Sequence, residues 1–230
     1  MTVLNSLLDN SKIYQLVTER LNQKPLDTKT TGQEADESID MNPELIELIL
    51  DLYNDDEGFK YEKMQQFSLG EILSYLQATH RYYLTKKLPE IEQSLVHIFS
   101  KYGQSHQLLA SLAFFFNDYK AKLIEHIQME ERTLFPYIQK LIEASKGETI
   151  LAKSKFSINQ FIDSHSCIED ELQEVSQLIH RYSGSDAVPL PYKIFLNQVE
   201  IFEIELRKHA IIEDHVLVPM ALALEKELVN

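Results

Sequence analysis

One eleven-residue element occurs twice in the chain, and this repeat constrains the fold more than any other feature of the sequence. The first copy runs from His126 to Pro136 and the second from His209 to Pro219, and both fit the pattern H-x-x-x-E-[ED]-x-x-L-x-P. A His and a Glu four residues apart lie on the same face of an α-helix, about one turn from each other. Each copy can therefore present an imidazole nitrogen and a carboxylate oxygen to one metal site.

Four long helical segments are predicted from Phe67 onwards, because apolar residues recur at spacings of three and four. The chain has only 6 Gly and 7 Pro, which favours helices over sheet. Gly147 is expected to mark the turn after the second segment. Four amphipathic helices with short connections predict an all-α protein, an antiparallel up-and-down four-helix bundle. The apolar stripes begin at Leu69, Leu109, Phe161 and Phe195.

An N-terminal extension, residues 1–65, precedes the bundle, which takes residues 66–230. The extension is predicted to hold a short helix over residues 4–23, a polar and acidic linker over residues 25–41, and a second helix. That second helix starts at Asn42-Pro43, because Asn caps helices well and Pro suits the first helical position. We expect the extension to pack on the bundle or on a partner, and it contains no chemical motif.

The two halves of the bundle carry the same order of candidate ligands. Each half has a helix with a lone His, followed by a helix with the His-x-x-x-Glu pair. A charged Glu within an apolar stripe is costly unless it is paired or bound to a cation. We therefore predict a dinuclear metal site, for which iron suits the ligands best and manganese or zinc are alternatives. A metal-free arrangement of buried His–Glu hydrogen-bonded pairs is the competing interpretation. The predicted ligands are His80, His126, Glu130, His165, His209 and Glu213.

The remaining candidate side chains are given ordinary structural roles. Glu169 follows His165 by four residues and could reach the site, but a solvated glutamate is the commoner case. Cys167 is interpreted as a structural thiol, and Tyr82-Tyr83 as packing residues, with the alternative that Tyr83 faces the metal site and donates a hydrogen bond there. Ferritin-like di-iron proteins use Glu-x-x-His on two helices, and the chain has no such sequence. The other histidines, expected at the surface or behind the ligands, are His97, His106, His180 and His215.

Charge and cysteine content exclude several classes of partner and site. The formal charge of −14 disfavours binding to nucleic acid or to an anionic membrane. The single cysteine excludes an intrachain disulfide, a Cys-based zinc site and a Cys-ligated iron–sulfur cluster within one chain. The N-terminus lacks the pattern of a signal peptide, and no apolar run approaches the ~20 residues that span a membrane. A cytoplasmic location is expected.

The chain resembles the hemerythrin-like superfamily, and more closely the repair-of-iron-centres di-iron family, over about residues 67–225. The resemblance rests on Thr79-His80, Leu88-Pro89-Glu90-Ile91, both repeated elements and His165. It implies a non-haem di-iron centre, oxo- or hydroxo-bridged, with four His ligands and two bridging Glu. It also implies iron donation to iron–sulfur clusters damaged by nitric oxide or oxidative stress. The implied partners are nitric oxide, oxygen or peroxide, together with damaged iron–sulfur proteins.

The chain departs from the resembled family at several positions. Residues 1–65 contain no cysteine, whereas better-known members carry an N-terminal domain with adjacent cysteines. Ser164 and Glu169 stand where the family usually has Glu and Gly. The first-helix His usually lies one residue closer to the Leu-Pro pair, at the position that Arg81 occupies. The alternative functions are an oxygen or nitric oxide sensor that uses residues 1–65 for output, an enzyme that reduces nitric oxide or peroxide, and a metal-free helical interaction protein.

Overall fold

All regular structure in the described residues is helical, which confirms the predicted all-α class. The computed structural model describes residues 10–21, 41–54, 58–102, 107–148, 156–164 and 190–229. Within these ranges, no helix is both long and apolar enough to cross a membrane. A 3₁₀ helix covers Tyr61–Gln66, and two π-helical segments cover Tyr83–Lys87 and Glu213–Leu217. The α-helices are α1 (Asn10–Leu21), α2 (Pro43–Asn54), α3 (Leu69–Tyr82), α4 (Leu88–Tyr102), α5 (Gln107–Arg132), α6 (Leu134–Ser145), α7 (Ile158–Ser164), α8 (Leu190–Ile212) and α9 (Val218–Val229).

Local capping explains where several of these helices begin and end. The Asn42 side chain accepts a hydrogen bond from the Glu44 backbone N–H at 3.0 Å, so the predicted cap of α2 is confirmed. Ser68 and Glu71 form a reciprocal capping box at the start of α3. Gly147 has a φ of 76° just after α6, where a residue without Cβ is favoured. The turn predicted at Gly147 is therefore confirmed.

The chain forms two compact units by its internal contacts. One unit consists of Met1–Tyr82, Met129–His165 and Lys208–Asn230, and the other of Tyr83–Gln128 and Ser166–Arg207. This partition does not test the predicted division at residue 65, which stays a prediction. Most of the third predicted helix lies outside the described residues, which include only its beginning as α7.

Helix α3 lies at the centre of the first unit and is buried on most of its faces. α1 packs against both α2 and α3, and the second π-helical segment packs against α3 and the 3₁₀ helix. α6 also contacts α3 and α9. Burial of this apolar surface is the main driving force for assembling the unit. The buried residues of α3 are Leu69, Ile72, Leu73, Tyr75, Leu76, Ala78, Thr79, His80 and Tyr82.

A buried arginine fixes α1 to α2 and α3. Arg20 is only 1% exposed, and its guanidinium donates hydrogen bonds to the hydroxyls of Tyr75 at 2.8 Å and Tyr53 at 2.6 Å. The same group lies over the rings of Tyr53 and Tyr82, 5.6 and 5.8 Å from their centroids. Hydrogen bonds from a charged donor are about twice as strong as neutral ones. The N-terminal extension thus makes a specific polar contact with α3, which the sequence analysis did not predict.

A buried carboxylate joins three further elements of the first unit. Glu225 on α9 accepts a hydrogen bond from the Tyr137 hydroxyl of α6 at 2.6 Å. The same oxygen accepts one from the backbone N–H of Ile158 at 3.3 Å, where α7 begins. Burial and this carboxylate raise the pKa of Tyr137 well above its usual value of 10.0. Glu225 therefore keeps Tyr137 protonated and ties α6 and α7 to α9.

The second unit contains its own buried ion pair. The Lys87 ammonium lies 2.8 Å from a carboxylate oxygen of Glu205 on α8, and both side chains are buried. The Tyr83 hydroxyl donates to the backbone carbonyl of Glu205 at 3.0 Å, and its ring meets Phe202 edge-on. Removing one partner of such a buried pair typically costs about 3–5 kcal/mol. These contacts hold the first π-helical segment against α8 and agree with the packing role predicted for Tyr83.

Three prolines lie just after breaks in α-helical geometry. Proline lacks the N–H that would bond to the carbonyl four residues earlier, and its ring clashes with that carbonyl. The apolar periodicity of the sequence does not reveal these breaks, because the apolar stripes continue through them. Pro89 follows the π-helical segment Tyr83–Lys87, Pro136 follows the non-helical Thr133, and Pro219 follows the π-helical segment Glu213–Leu217.

A side chain compensates one of the hydrogen bonds that a proline removes. In a regular α-helix the carbonyl of His215 would accept from residue 219, but Pro219 has no N–H to donate. The Gln65 side-chain amide donates to this carbonyl at 3.1 Å. The His215 ring also stacks on Tyr61, with centroids 4.7 Å apart. The 3₁₀ helix therefore stabilises the backbone of the second π-helical segment.

The first π-helical segment lies in the stretch after His80 where the sequence departs from the spacing expected from the resemblance. A π-helical turn contains more residues than an α-helical one, because its hydrogen bonds join residues five apart. The segment Tyr83–Lys87 lies between His80 and Leu88, the stretch in which the resemblance implies one additional residue. A π-helical turn can accommodate an additional residue inside a helix without a loop.

Candidate metal centre

Three predicted ligands form a buried group in the first unit. His80 comes from α3, Glu130 from the last turn of α5 and His209 from the last turn of α8. One ligand atom from each lies within 4.8 Å of the others, the one such group that the described residues contain. His80 Nε2 is 3.1 Å from His209 Nε2 and 3.2 Å from a carboxylate oxygen of Glu130. None of the three side chains is more than 6% exposed.

A fourth predicted ligand lies next to this group. Glu213, the first residue of the second π-helical segment, has a carboxylate oxygen 3.6 Å from His209 Nε2. It is also buried, as the apolar stripe around it predicts. The structure thus brings His80, Glu130, His209 and Glu213 together in one unit.

The two remaining predicted ligands stay predictions. His126 is half-buried on α5, one helical turn before Glu130, and belongs to the second unit. His165 lies outside the described residues, as do Glu169 and Cys167. Of the histidines given a structural role, His97 and His215 are exposed, as predicted, and His106 and His180 lie outside the described residues.

The chemistry of the four donors fits a bound cation. Two imidazole nitrogens at 3.1 Å can share one proton at most, and two buried carboxylates bring negative charge to the same place. Carboxylates without a compensating cation are unfavourable in such a buried position. Imidazole nitrogen with carboxylate oxygen is a ligand set that iron, manganese and zinc all accept. These four side chains are therefore suitable ligands for a divalent metal.

The same carboxylates act on the protonation of His80. Burial disfavours the charged ring and lowers its pKa, but hydrogen bonds and charge from Glu130 and Glu131 outweigh burial. The net effect raises the pKa of His80 above its usual value of 6.5. The two carboxylates thus favour the protonated ring, and a metal that binds His80 has to displace such a proton.

Two residues of the first repeated element contact His80 although the sequence analysis gave them no role. A carboxylate oxygen of Glu131 is 2.9 Å from His80 Nδ1. The ring of Phe135 stacks on the imidazole, with centroids 5.1 Å apart and an interplanar angle of 14°. The signal that could have revealed Glu131 is the doubled acid of the pattern, which Asp214 repeats in the second copy.

Comparison with known proteins gives distant relatives that share one name. The chain is 22% identical over 173 residues to the "Iron-sulfur cluster repair protein ScdA" of Staphylococcus haemolyticus (strain JCSC1435), covering 75% of each chain. It is 22% identical over 150 residues to the protein of that name from Staphylococcus epidermidis (strain ATCC 12228 / FDA PCI 1200), covering 65% of each chain. No solved structure gives a significant match.

A family model covers most of the chain. The model described as "Hemerythrin HHE cation binding domain" matches residues 71–221, a range that includes all six predicted ligands. The match confirms the resemblance found in the sequence, the hemerythrin-like bundle as fold class, and metal binding as the general role. The chain therefore belongs to the family of hemerythrin HHE cation-binding domains.

Proposed function

We propose that the protein is a non-haem di-iron protein that repairs iron–sulfur centres damaged by nitric oxide or oxidative stress, with iron as the material it donates. The observation that carries this proposal is the buried convergence of His80, Glu130 and His209 within 4.8 Å. The name of the Staphylococcus relatives supports a repair role at 22% identity. The residues of this chain support metal binding, and the name of the relatives suggests that the metal serves in cluster repair.

The ligands in this proposal come from four helices. His80, Glu130, His209 and Glu213 are near one another in the first unit. His126 and His165 are the further ligands that the sequence predicts. Bound iron would supply open coordination positions for a small ligand such as nitric oxide, oxygen or peroxide, and a redox change. The bound ions then serve as cargo when a damaged cluster is restored.

The protein buries the ligand side chains and places negative charge beside them, and protons compete with the metal for the imidazole nitrogens. Burial of the four side chains excludes bulk water from the ligands, which strengthens their attraction for a cation. Protons compete with a metal for imidazole nitrogens, so acidification favours release of the cargo.

Metal content is the direct test of the proposal. Protein loaded anaerobically with ferrous iron should retain about two iron ions per chain after desalting, as expected for a ligand set of this size. Glu130→Gln should lower the retained iron, because the amide removes a buried negative charge. Glu227→Gln, which removes one exposed charge on α9, should retain as much iron as the wild type. Failure of the wild type to retain iron would exclude the proposal.

A repair assay tests the role of the iron. A hydratase whose iron–sulfur cluster has been damaged with nitric oxide should regain activity when incubated with the iron-loaded protein. Glu130→Gln protein, treated in the same way, should restore much less activity. An equal recovery with free ferrous iron at matched concentration would show that the protein has no repair function of its own.

A sensor is the second candidate, and one observation favours it. α1 is attached through Arg20 to α3, the helix that carries His80, so the N-terminal extension contacts the element that holds a ligand. Deleting residues 1–65 would remove this packing as well as any output function, so the deletion does not separate the two roles. A better test measures whether loading with iron and nitric oxide changes protease cleavage between residues 22 and 40. A change favours the sensor, and unchanged cleavage favours repair.

A further inference from the structure

The ring of His80 is held by contacts on three sides. Nδ1 lies 2.9 Å from the carboxylate of Glu131, and Nε2 faces Glu130 and His209 at 3.2 and 3.1 Å. The flat face of the ring stacks on Phe135, which is itself buried. The imidazole therefore has one orientation that satisfies all of its neighbours.

The contact with Glu131 determines which nitrogen carries the proton in the neutral ring. An ionised carboxylate can only accept hydrogen bonds, so when the Nε2 lone pair binds a metal, the hydrogen of the neutral ring lies on Nδ1 and is donated to Glu131. Nε2 is then the nitrogen with the lone pair, and it points toward the group that would bind the metal. The opposite tautomer would place a hydrogen on Nε2 and leave two acceptors facing each other at Nδ1.

Glu131 differs from Glu130 in its surroundings, although the two are adjacent in sequence. Glu130 is fully buried within the group, whereas the Glu131 side chain is 34% exposed and lies at the opposite edge of the imidazole. Its charge also acts on the neighbouring Arg81: burial lowers the pKa of that guanidinium, and the Glu131 carboxylate opposes the change. Glu131 is thus placed to hold a ligand from behind and not to bind the metal itself.

We propose that Glu131 is a positioning residue for the metal centre, which holds His80 with its proton on Nδ1 so that Nε2 is presented to the metal. This inference rests on the proposed function. Carboxylates that accept from the second nitrogen of a metal-bound imidazole fix its tautomer and orientation, and losing one typically costs about 10–100-fold in metal affinity. Phe135 supports the same role because it restricts the tilt of the ring.

The first test needs no metal. Nitrogen NMR of the histidine rings in metal-free protein, at a pH where His80 is neutral, should show the hydrogen on Nδ1 in the wild type. Glu131→Ala should shift His80 toward the Nε2–H form, whereas Glu131→Gln should largely preserve the wild-type tautomer, because the amide oxygen can still accept. An unchanged tautomer of His80 in Glu131→Ala would overturn the proposal.

The second test measures affinity for ferrous iron under anaerobic conditions, by competition with a coloured chelator. Glu131→Ala should bind about 10–100-fold more weakly than the wild type, and Glu131→Gln should recover part of the loss. Glu227→Gln should match the wild type, and thermal stability should change little in all three variants. Equal affinity of Glu131→Ala and wild type would overturn the positioning role alone. Absence of iron binding in the wild type would overturn the proposed function too.

Discussion

Replacing Arg20 by Met should destabilise the protein although Arg20 lies in a segment without any chemical motif. The guanidinium is buried and donates to the hydroxyls of Tyr53 and Tyr75. Methionine keeps much of the aliphatic volume but leaves both hydroxyls without this donor. The change therefore tests the polar contact more than the packing.

The expected loss follows from the contacts of the guanidinium. Each hydrogen bond from a charged group contributes about 1.5–3 kcal/mol, and a desolvated cation–π contact about 0.5–2 kcal/mol. We expect a net loss of about 3 kcal/mol, the sum of two such hydrogen bonds at the low end of their range.

Urea denaturation followed by circular dichroism measures this loss. Arg132→Met, the same substitution at an exposed position of α5, is the matched control and should change stability by less than about 0.5 kcal/mol. A double-mutant cycle with Tyr75→Phe should give a coupling above about 1 kcal/mol, because the two residues share one hydrogen bond. A loss below about 1 kcal/mol, or additive effects in the cycle, would refute the reasoning.

Three further predictions concern the metal, the pH dependence and the helix breaks. Ferrous iron at 100 times its Kd should stabilise the wild type by about 2.7 kcal/mol in anaerobic thermal denaturation, and this gain should disappear with chelator or in Glu130→Gln. The pKa of Tyr137 is raised in the folded state, so stability is fully present below pH 10.0 and falls as the pH rises toward the folded pKa. Urea midpoints across this range should show a weaker alkaline loss in Tyr137→Phe than in the wild type, and equal slopes would contradict the contact with Glu225. Gln65→Ala should cost about 0.5–1 kcal/mol in urea denaturation, and less in a Pro219→Ala background, because alanine restores an N–H that can bond to the same carbonyl.

The sequence predicts those features that depend on nearby residues. Asn42 caps α2 and Gly147 ends α6 as expected, because both act through backbone groups a few residues away. Burial of Glu130 and Glu213 also follows from their place in apolar stripes. Predicting that His80 lies near His209 required the half-repeat as well as the apolar periodicity, because the two residues are far apart in the chain.

The sequence does not reveal features that depend on tertiary contacts. Arg20 continues the buried stripe of Ile13 and Val17 along α1, but a charged residue there looks like a solvated end of the helix. Its partners are tyrosines of other helices, and only their need for hydrogen-bond partners hints at a buried donor. Which carboxylate supports His80 is likewise a matter of side-chain direction, which spacing alone does not determine.

The first π-helical segment has a consequence for how the length of this chain can vary. In a regular α-helix one extra residue rotates everything after it by about 100°, which would turn a buried stripe toward solvent. The π-helical turn at Tyr83–Lys87 accommodates one additional residue. The apolar stripe of α4 therefore keeps its orientation. A π-helical turn can therefore take up a one-residue difference in length between His80 and Leu88 without reorienting α4. An alignment of related chains should place a one-residue gap between His80 and Leu88. The histidine that corresponds to His80 can then differ by one position in its distance from the Leu-Pro pair.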